Sequence, residues 1–207
     1  VRGLVHKPLS LSLDNIRRLP QRTQVTRHDC VEGWSAIGEW TGPQLSLLLD
    51  EAGLQENARF ILFRCADNLN GQDYYESVDL IDAYHPQTII AHSLNGEPLP
   101  IRNGAPLRMR IERQLGYKHA KYLTAIEAVA SLDDIGLGQG GYWEDRAGYQ
   151  WYADSGSGFS LIPGETSATY SATAAAMYRI VVDLPDGSQE VSDVQVGFSP
   201  AARSEPV

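Results

Sequence analysis

Along residues 1–13, apolar and polar positions alternate loosely around the Lys7-Pro8 break, which predicts a strand, a turn and a second short strand. Leu13 and Ile16 then fall at helical spacing and Pro20 stops the run, so a short helix is expected over 12–19. Residues 23–26 return to an extended, β-branched pattern leading into His28-Asp29-Cys30, which places Cys30 at a strand end. Gly33, Gly38 and Gly42 next interleave with Trp34 and Trp40, a composition that reads as a tight aromatic loop and not a regular element. Leu45, Leu48 and Leu49 share one face of an amphipathic helix over 44–51, with Gly53 as its C-terminal stop.

Residues 59–65 form a dense apolar strand, 74–81 continue a sheet, and 85–94 read as a helix opening near Pro86 before the Asn95-Gly96 turn. Three prolines exclude a regular helix or a central strand from 98–106. Residues 107–112 alternate as a strand, 122–130 are apolar enough for a buried strand, and 136–148 form a glycine-rich loop carrying Tyr142 and Trp143. Beyond Ala153 the composition shifts to Ser, Gly, Ala and Thr. There 177–183 and 190–196 flank the turn Leu184-Pro185-Asp186-Gly187 as a β-hairpin, and 199–207 are expected to fray. Strands outnumber helices, giving an α+β class with a main domain over 1–153 and an extension over 154–207.

At 207 residues, with 43% hydrophobic and 21% charged residues, the chain can bury a core without a staple, and a folded, soluble body is the expectation. A formal net charge of −9 argues against a nonspecific grip on nucleic acid or anionic lipid. Arg102, Arg108, Arg110, Arg113, Lys118, His119 and Lys121 nevertheless crowd one stretch, either as a site for a small anion or as a solvated face balancing nearby acids. No apolar run approaches the roughly 18 residues of a membrane span, and no signal peptide is visible. The chain opens on Val1 in what reads as the inside of a strand region, so an upstream segment is expected to be missing.

Cys30, in "RHDCVEGWS", could bind a soft or high-valent metal, act as a nucleophile, or sit inert as a small hydrophobe. A hydrolase would pair it with His28, His85, His92 or His119 and an acid such as Asp29, but no hydrolase signature surrounds it. The five histidines and two cysteines, Cys30 and Cys65, show no CxxC or HxxxH spacing of a zinc site. No phosphate-cradling glycine motif opens a helix after a strand, which removes support for a nucleotide cofactor.

The ordered run "GLVHKPLSLSLDNIRRLP", "TRHDCVEGWSAIGEWTGPQLSLLLDEAGL", "YYESVDLIDAYHPQTIIAHSLNGEPLPIRNGAPLRMRIERQLGYKHAKYLTAIEAV" and "GGYWEDRAGYQWYA" resembles the molybdopterin-binding domain of the sulfite oxidase superfamily over residues 1–153. It is similar to the bacterial stand-alone branch that includes the methionine sulfoxide reductase catalytic subunit. The resemblance implies a β-rich, mixed-sheet fold of the sulfite oxidase type and a molybdenum-molybdopterin cofactor with Cys30 as metal ligand. It implies pterin-phosphate contacts at Asn103, Arg108, His119, Ala120 and Lys121; Cys65 falls where the family has a small hydroxyl residue near the cofactor and is read as a supporting residue at most, with a buried inert thiol preferred. Asp67, Tyr74, Tyr75 and Glu76 fall where the family builds its pocket rim. An Asn-containing cofactor loop expected before the core is absent, and the resemblance stops after Trp151-Tyr152-Ala153.

The expected activity is oxygen-atom transfer to or from a small sulfur or nitrogen oxo compound, in the periplasm. A separate redox partner such as a cytochrome is implied, since no CxxCH haem motif occurs in the chain. The alternative is a non-catalytic module on the same scaffold that has lost its cofactor.

Overall fold

The computed structural model of the chain describes residues 1–30, 33–69, 71–145, 148–154, 156–162, 170, 172–183 and 189–197. The chain divides into two compact units, Val1–Asp145 and Arg146–Val207. The first runs β1 (Arg2–Gly3), α1 (Leu13–Arg18), β2 (Gln21–Asp29), β3 (Ser35–Pro43), α2 (Leu45–Ala52), β4 (Phe60–Leu69), β5 (Gln72–Asp79), α3 (Leu80–Ala83), β6 (Ile89–Ala91), β7 (Ser93–Leu94), β8 (Glu97–Pro98), β9 (Arg108–Arg110) and β10 (Leu123–Val129). Two 3-10 turns, Ile101–Asn103 and Gly116–Lys118, bracket β9. No described helix is long and apolar enough to cross a membrane.

One sheet has the order β1-β10-β4-β5, mixed because β1 runs parallel to β10 while the other pairs are antiparallel. A second has the order β2-β3-β7-β8, and β6 pairs with β9 as a two-stranded ribbon. The core lies where Ile61 and Phe63 of β4 and Ile126 and Ala128 of β10 meet Leu45, Leu48 and Leu49 of α2, with Ile90 and Met109 from the ribbon. The 44–51 periodicity thus forms α2, ended by Gly53 at φ 65°, and its leucine face is buried. At α1, the Ser12 hydroxyl accepts from the Asn15 N–H while the Asn15 side chain accepts from the Ser12 N–H, a reciprocal cap that starts a helix of six residues.

Three sequence expectations differ from the structure. Residues 85–94 are not a helix: the helical turn falls earlier, at α3, where the Asp79 carboxylate caps the Asp82 N–H. Ile89 and Ile90 instead lie buried in β6, in register with Arg110 and Met109, because β-branched side chains pack well on a pleated surface. Residues 35–43 are a regular strand, paired with β2 over nine positions from Gln21–Pro43 to Asp29–Ser35. Gly42 marks a close backbone approach and not a loop, since a Cβ there would lie 2.0 Å from the Ile90 carbonyl oxygen. Residues 1–13 hold one two-residue strand, and Val5 makes only an isolated bridge to Leu54.

In the second unit β11 (Gly148–Asp154), β12 (Phe159–Leu161), β13 (Ala176–Asp183) and β14 (Gln189–Val196) form an antiparallel sheet of order β12-β11-β13-β14. The expected hairpin is the β13–β14 pair, extended on its other side by β11. Because β11 pairs with β13 over its whole length, the unit starts before the compositional shift at 153. The turn 184–187 and the tail 199–207 lie outside the described residues.

Candidate functional site

A cavity of about 620 Å³ opens in the first unit among the end of β2, the start of β3, the far end of β4 and the two loops that bracket β9. Its size is that of a small-molecule or cofactor pocket. Cys30, the first residue after β2, is half-buried on its wall. The Cys30 N–H donates to the Trp34 carbonyl at 3.0 Å and the Gly33 N–H donates to the Cys30 carbonyl at 3.1 Å.

Across the cavity, "NGAPLR" and "HAK" are held together by backbone. The Met109 N–H donates to the Ala120 carbonyl at 2.8 Å and the Tyr122 N–H to the Gly104 carbonyl at 3.2 Å. Gly104, at φ 105°, lies so close to Lys121 that a Cβ would stand 2.8 Å from that residue's Cβ. The two loops therefore converge at a point only glycine can occupy. Arg108 then bridges them, its Nη1 donating to the Asn103 carbonyl at 3.0 Å and its Nη2 to the His119 carbonyl at 3.4 Å.

The guanidinium of Arg108 sits 4.9 Å, and that of Arg110 4.5 Å, from the Trp40 ring centroid. Arg110 is wholly buried and ion-paired to Glu112, with Nη1 donating to His28 Nδ1 at 2.7 Å. That contact makes Nδ1 of His28 an acceptor, so its neutral ring carries the proton on Nε2. Burial, then the nearby Arg110, pushes the His28 pKa down to about 4. His119 is driven well below the usual histidine range by the same causes in the same order, burial ahead of Arg110. Its Nε2–H donates to the Ile111 carbonyl at 2.9 Å, which leaves Nδ1 as a bare lone pair.

Arg108 Nε, Trp40 Nε1 and His119 Nδ1 are buried without a hydrogen-bond partner among the described residues, and all three residues line the cavity. Unsatisfied buried polar atoms cost about 1–3 kcal/mol each, more when charged. Three at one cavity describe a ligand that accepts from a guanidinium and an indole and donates to an imidazole. Burial and the like charge of Arg110 also lower the proton affinity of Arg108, a strain an anion would relieve.

Of the residues singled out by sequence, Cys30, Asn103, Arg108, His119 and Lys121 line the cavity, as do Asp67 and Tyr74. Cys65 does not: it is packed in the core opposite Leu123, and burial first, then Asp67, pushes its thiol up to about 12. Ala120 is also buried away from the wall and serves through its carbonyl. The basic stretch is no single patch. Arg102 joins the cavity wall, Arg113 pairs with Asp82, and Lys118 pairs with Glu76 and Glu144. Trp34, Trp40, Tyr117, Trp143 and the tautomer-fixed His28 were not assigned to a cofactor site by sequence reasoning. The alternation of Gly and Trp over 33–42 was a signal for Trp34 and Trp40 alone.

Among the described residues no group of three His, Cys, Asp or Glu side chains could hold a metal ion. A metal beside Cys30 would have to bring most of its ligands with it.

Comparison with known proteins supplies a family. A family model described as the oxidoreductase molybdopterin binding domain matches residues 1–134. A putative protein-methionine-sulfoxide reductase subunit of Azospira oryzae is 44% identical over 155 residues, covering 75% of this chain and 55% of that protein. The protein-methionine-sulfoxide reductase catalytic subunit of Xanthomonas campestris pv. campestris is 34% identical over 146 residues, covering 65% of this chain and 45% of that protein. The chain thus spans about half the length of the curated relatives it matches. Among solved structures, the sulfane dehydrogenase SoxCD of Paracoccus pantotrophus superposes with a TM-score of 0.57 at 16% identity, over 91% of this chain and 67% of that one. That likeness establishes the fold, the β-rich mixed-sheet type that the sequence resemblance implied.

Proposed function

The chain belongs to the oxidoreductase molybdopterin-binding domain family, and from that premise we propose that it is a molybdenum-pterin oxidoreductase whose cavity serves oxygen-atom transfer, in the direction of S-oxide reduction. The observation that carries this reading is the coincidence, on one cavity, of the Cys30 thiol with three buried and unpartnered polar atoms. A pterin bearing a phosphate and a dithiolene fits those demands. The phosphate takes the Arg108 and Lys121 charges, ring N–H groups suit the His119 lone pair, and the dithiolene provides the metal ligands the protein lacks. The direction is supported by the sulfoxide reductase names of both relatives.

In this reading Cys30 supplies one thiolate to the metal, Asn103, Arg108 and Lys121 hold the pterin phosphate, the His119 lone pair receives a pterin N–H, and Trp40 stacks behind Arg108. Ala120 contributes its backbone, and Cys65 lies in the wall's support. When bound, the molybdenum-pterin group supplies the electron pair and the exchange of an oxygen atom with substrate. The chain's residues orient the substrate, exclude water and furnish protons: reducing an S-oxide to a thioether and water consumes two electrons and two protons. The relatives are named as subunits, in keeping with electrons arriving from a second chain such as a cytochrome. A periplasmic location belongs to the same reading and rests on family resemblance.

Expression with molybdate followed by metal and pterin analysis tests the proposal. About one molybdenum and one pterin per chain, with reduction of small S-oxides, is expected. A folded protein that takes up neither is the cofactor-free module instead, which would leave the buried donors around Arg108 without a purpose.

A further inference from the structure

Behind the cavity wall lies a group of ionisable side chains that cofactor binding does not use. Glu76 of β5 is wholly buried, and Lys118, at the end of the 3-10 turn Gly116–Lys118, places Nζ 3.0 Å from its Oε2. The same ammonium pairs with Oε1 of Glu144. The Oε2 atoms of both carboxylates are buried without a directed hydrogen bond among the described residues. They converge over Gly141, where a Cβ would lie 2.2 Å from each. Two carboxylates and one ammonium therefore share a largely buried site with one negative charge in excess, a charge one proton would remove. Stability does not account for such a cluster, since buried ion groups are often replaceable by apolar residues at no loss.

Glu76 is also joined to the cavity. The Tyr74 hydroxyl lies 2.6 Å from the Tyr117 carbonyl, to which it donates, and 3.0 Å from Glu76 Oε1, from which it can accept when Glu76 carries a proton, and both tyrosines line the cavity. On the far side Glu144 follows the cavity residue Trp143, and its side chain is 15% exposed. The elements around Glu76 present Tyr74 and Tyr75 from β5, Cys65 from β4, Lys118 from the 3-10 turn and Glu144 from the turn before Asp145.

We propose that Glu76, Lys118 and Glu144 form a buried proton store for the reaction in the cavity, with Glu76 as the group that holds the proton and Tyr74 as the link that delivers it. The inference rests on the S-oxide reductase reading. In the transfer, the Glu76 O–H bond breaks as its proton passes to the Tyr74 oxygen, and the Tyr74 proton passes to the oxygen being released from substrate. Tyr74 ends as it began, Glu76 is left as a carboxylate against Lys118, and no electron moves within the relay. The electron pair for the reduction comes from the metal group and its protein donor, and the second proton from solvent. Glu144 is the route by which Glu76 is recharged. Burial, opposed by Lys118 and reinforced by Glu144, pushes the Glu76 pKa up to about 8, so the store is filled at neutral pH.

The test uses the molybdenum-loaded protein. Infrared difference spectra from about pH 6 to about pH 10 should show a protonated carboxyl band that disappears with a midpoint near pH 8 and is missing from Glu76→Gln. Glu76→Gln should lower kcat for a small S-oxide about a hundredfold and abolish the alkaline limb of its pH profile. Tyr74→Phe, which keeps the ring and removes the link, should keep the band and lose a similar factor in kcat. It carries the test alone if Glu76→Gln does not fold. A wild-type spectrum without the band overturns the proposal, as do loaded variants with wild-type kcat and pH profile. A protein that takes up no molybdenum or pterin overturns the functional reading itself, and this inference with it, a result separate from a loaded enzyme indifferent to Glu76.

Discussion

The two cysteines show how little a residue type says apart from its place. Cys30 lies on a cavity wall, whereas Cys65 sits in the core with its thiol pushed up to about 12 by burial. Cys30→Ser is expected to abolish turnover while pterin content stays, because a hydroxyl is a harder and weaker donor to the metal. Cys65→Ser should keep the metal's paramagnetic resonance and cost about 1–2 kcal/mol of stability from burying a hydroxyl. A resonance that responds to Cys65 and ignores Cys30 would reverse the assignment. Arg108 has two roles where the sequence predicted one. Its guanidinium satisfies the carbonyls of Asn103 and His119 besides facing the cavity, so Arg108→Ala should reduce pterin content and also lower folding stability by about 2–3 kcal/mol. Pterin analysis beside urea denaturation separates the two losses.

Among the elements, α2 was legible because its leucines repeat at helical spacing and a glycine ends it, both local signals. β3 was not, because its glycines answer to a neighbour remote in sequence. Gly42 is small so that β3 can press against the backbone of β6, and that contact sets where Trp40 meets Arg108 and Arg110. Gly42→Ala should therefore cost about 1–3 kcal/mol as overpacking against a rigid carbonyl, and weaken cofactor retention by moving Trp40. Unfolding and pterin content measured together check this. A variant as stable as wild type would mean the β3–β6 contact yields easily.

For the whole molecule, burial of ionisable groups shapes stability against pH. His119 is held neutral in the fold, so below the ordinary histidine pKa the unfolded chain gains a proton that the folded one refuses, and stability falls as pH falls. Glu76 behaves oppositely: above the ordinary carboxylate range the unfolded chain is ionised while the fold keeps its proton up to about pH 8, and stability is lost as pH rises through that value. His28, held neutral in the same way, adds a further slope of the His119 sign, so below about pH 6.5 the histidine slopes outweigh the second, that of Glu76. Above about pH 6.5 the second acts alone and should remove on the order of 2 kcal/mol by about pH 8, a decline in Tm that Glu76→Gln should flatten. A Tm that rises across that interval would place the Glu76 proton elsewhere. The unit Val1–Asp145 contains the cavity and its core, so this piece should unfold cooperatively and take up the cofactor by itself. A cut after Ala153 would instead leave most of β11 without its partner β13. By itself the sequence determined the class, the strand that ends at Cys30, the amphipathic helix and the loops "NGAPLR" and "HAK", because periodicity, caps and ordered motifs are local. Only the tertiary structure decided that His119 is left with a buried, unpartnered lone pair, and that Glu76, Lys118 and Glu144 share one largely buried site. Those outcomes depend on burial and on which distant side chains converge, and neither is written in the spacing of residues along the chain.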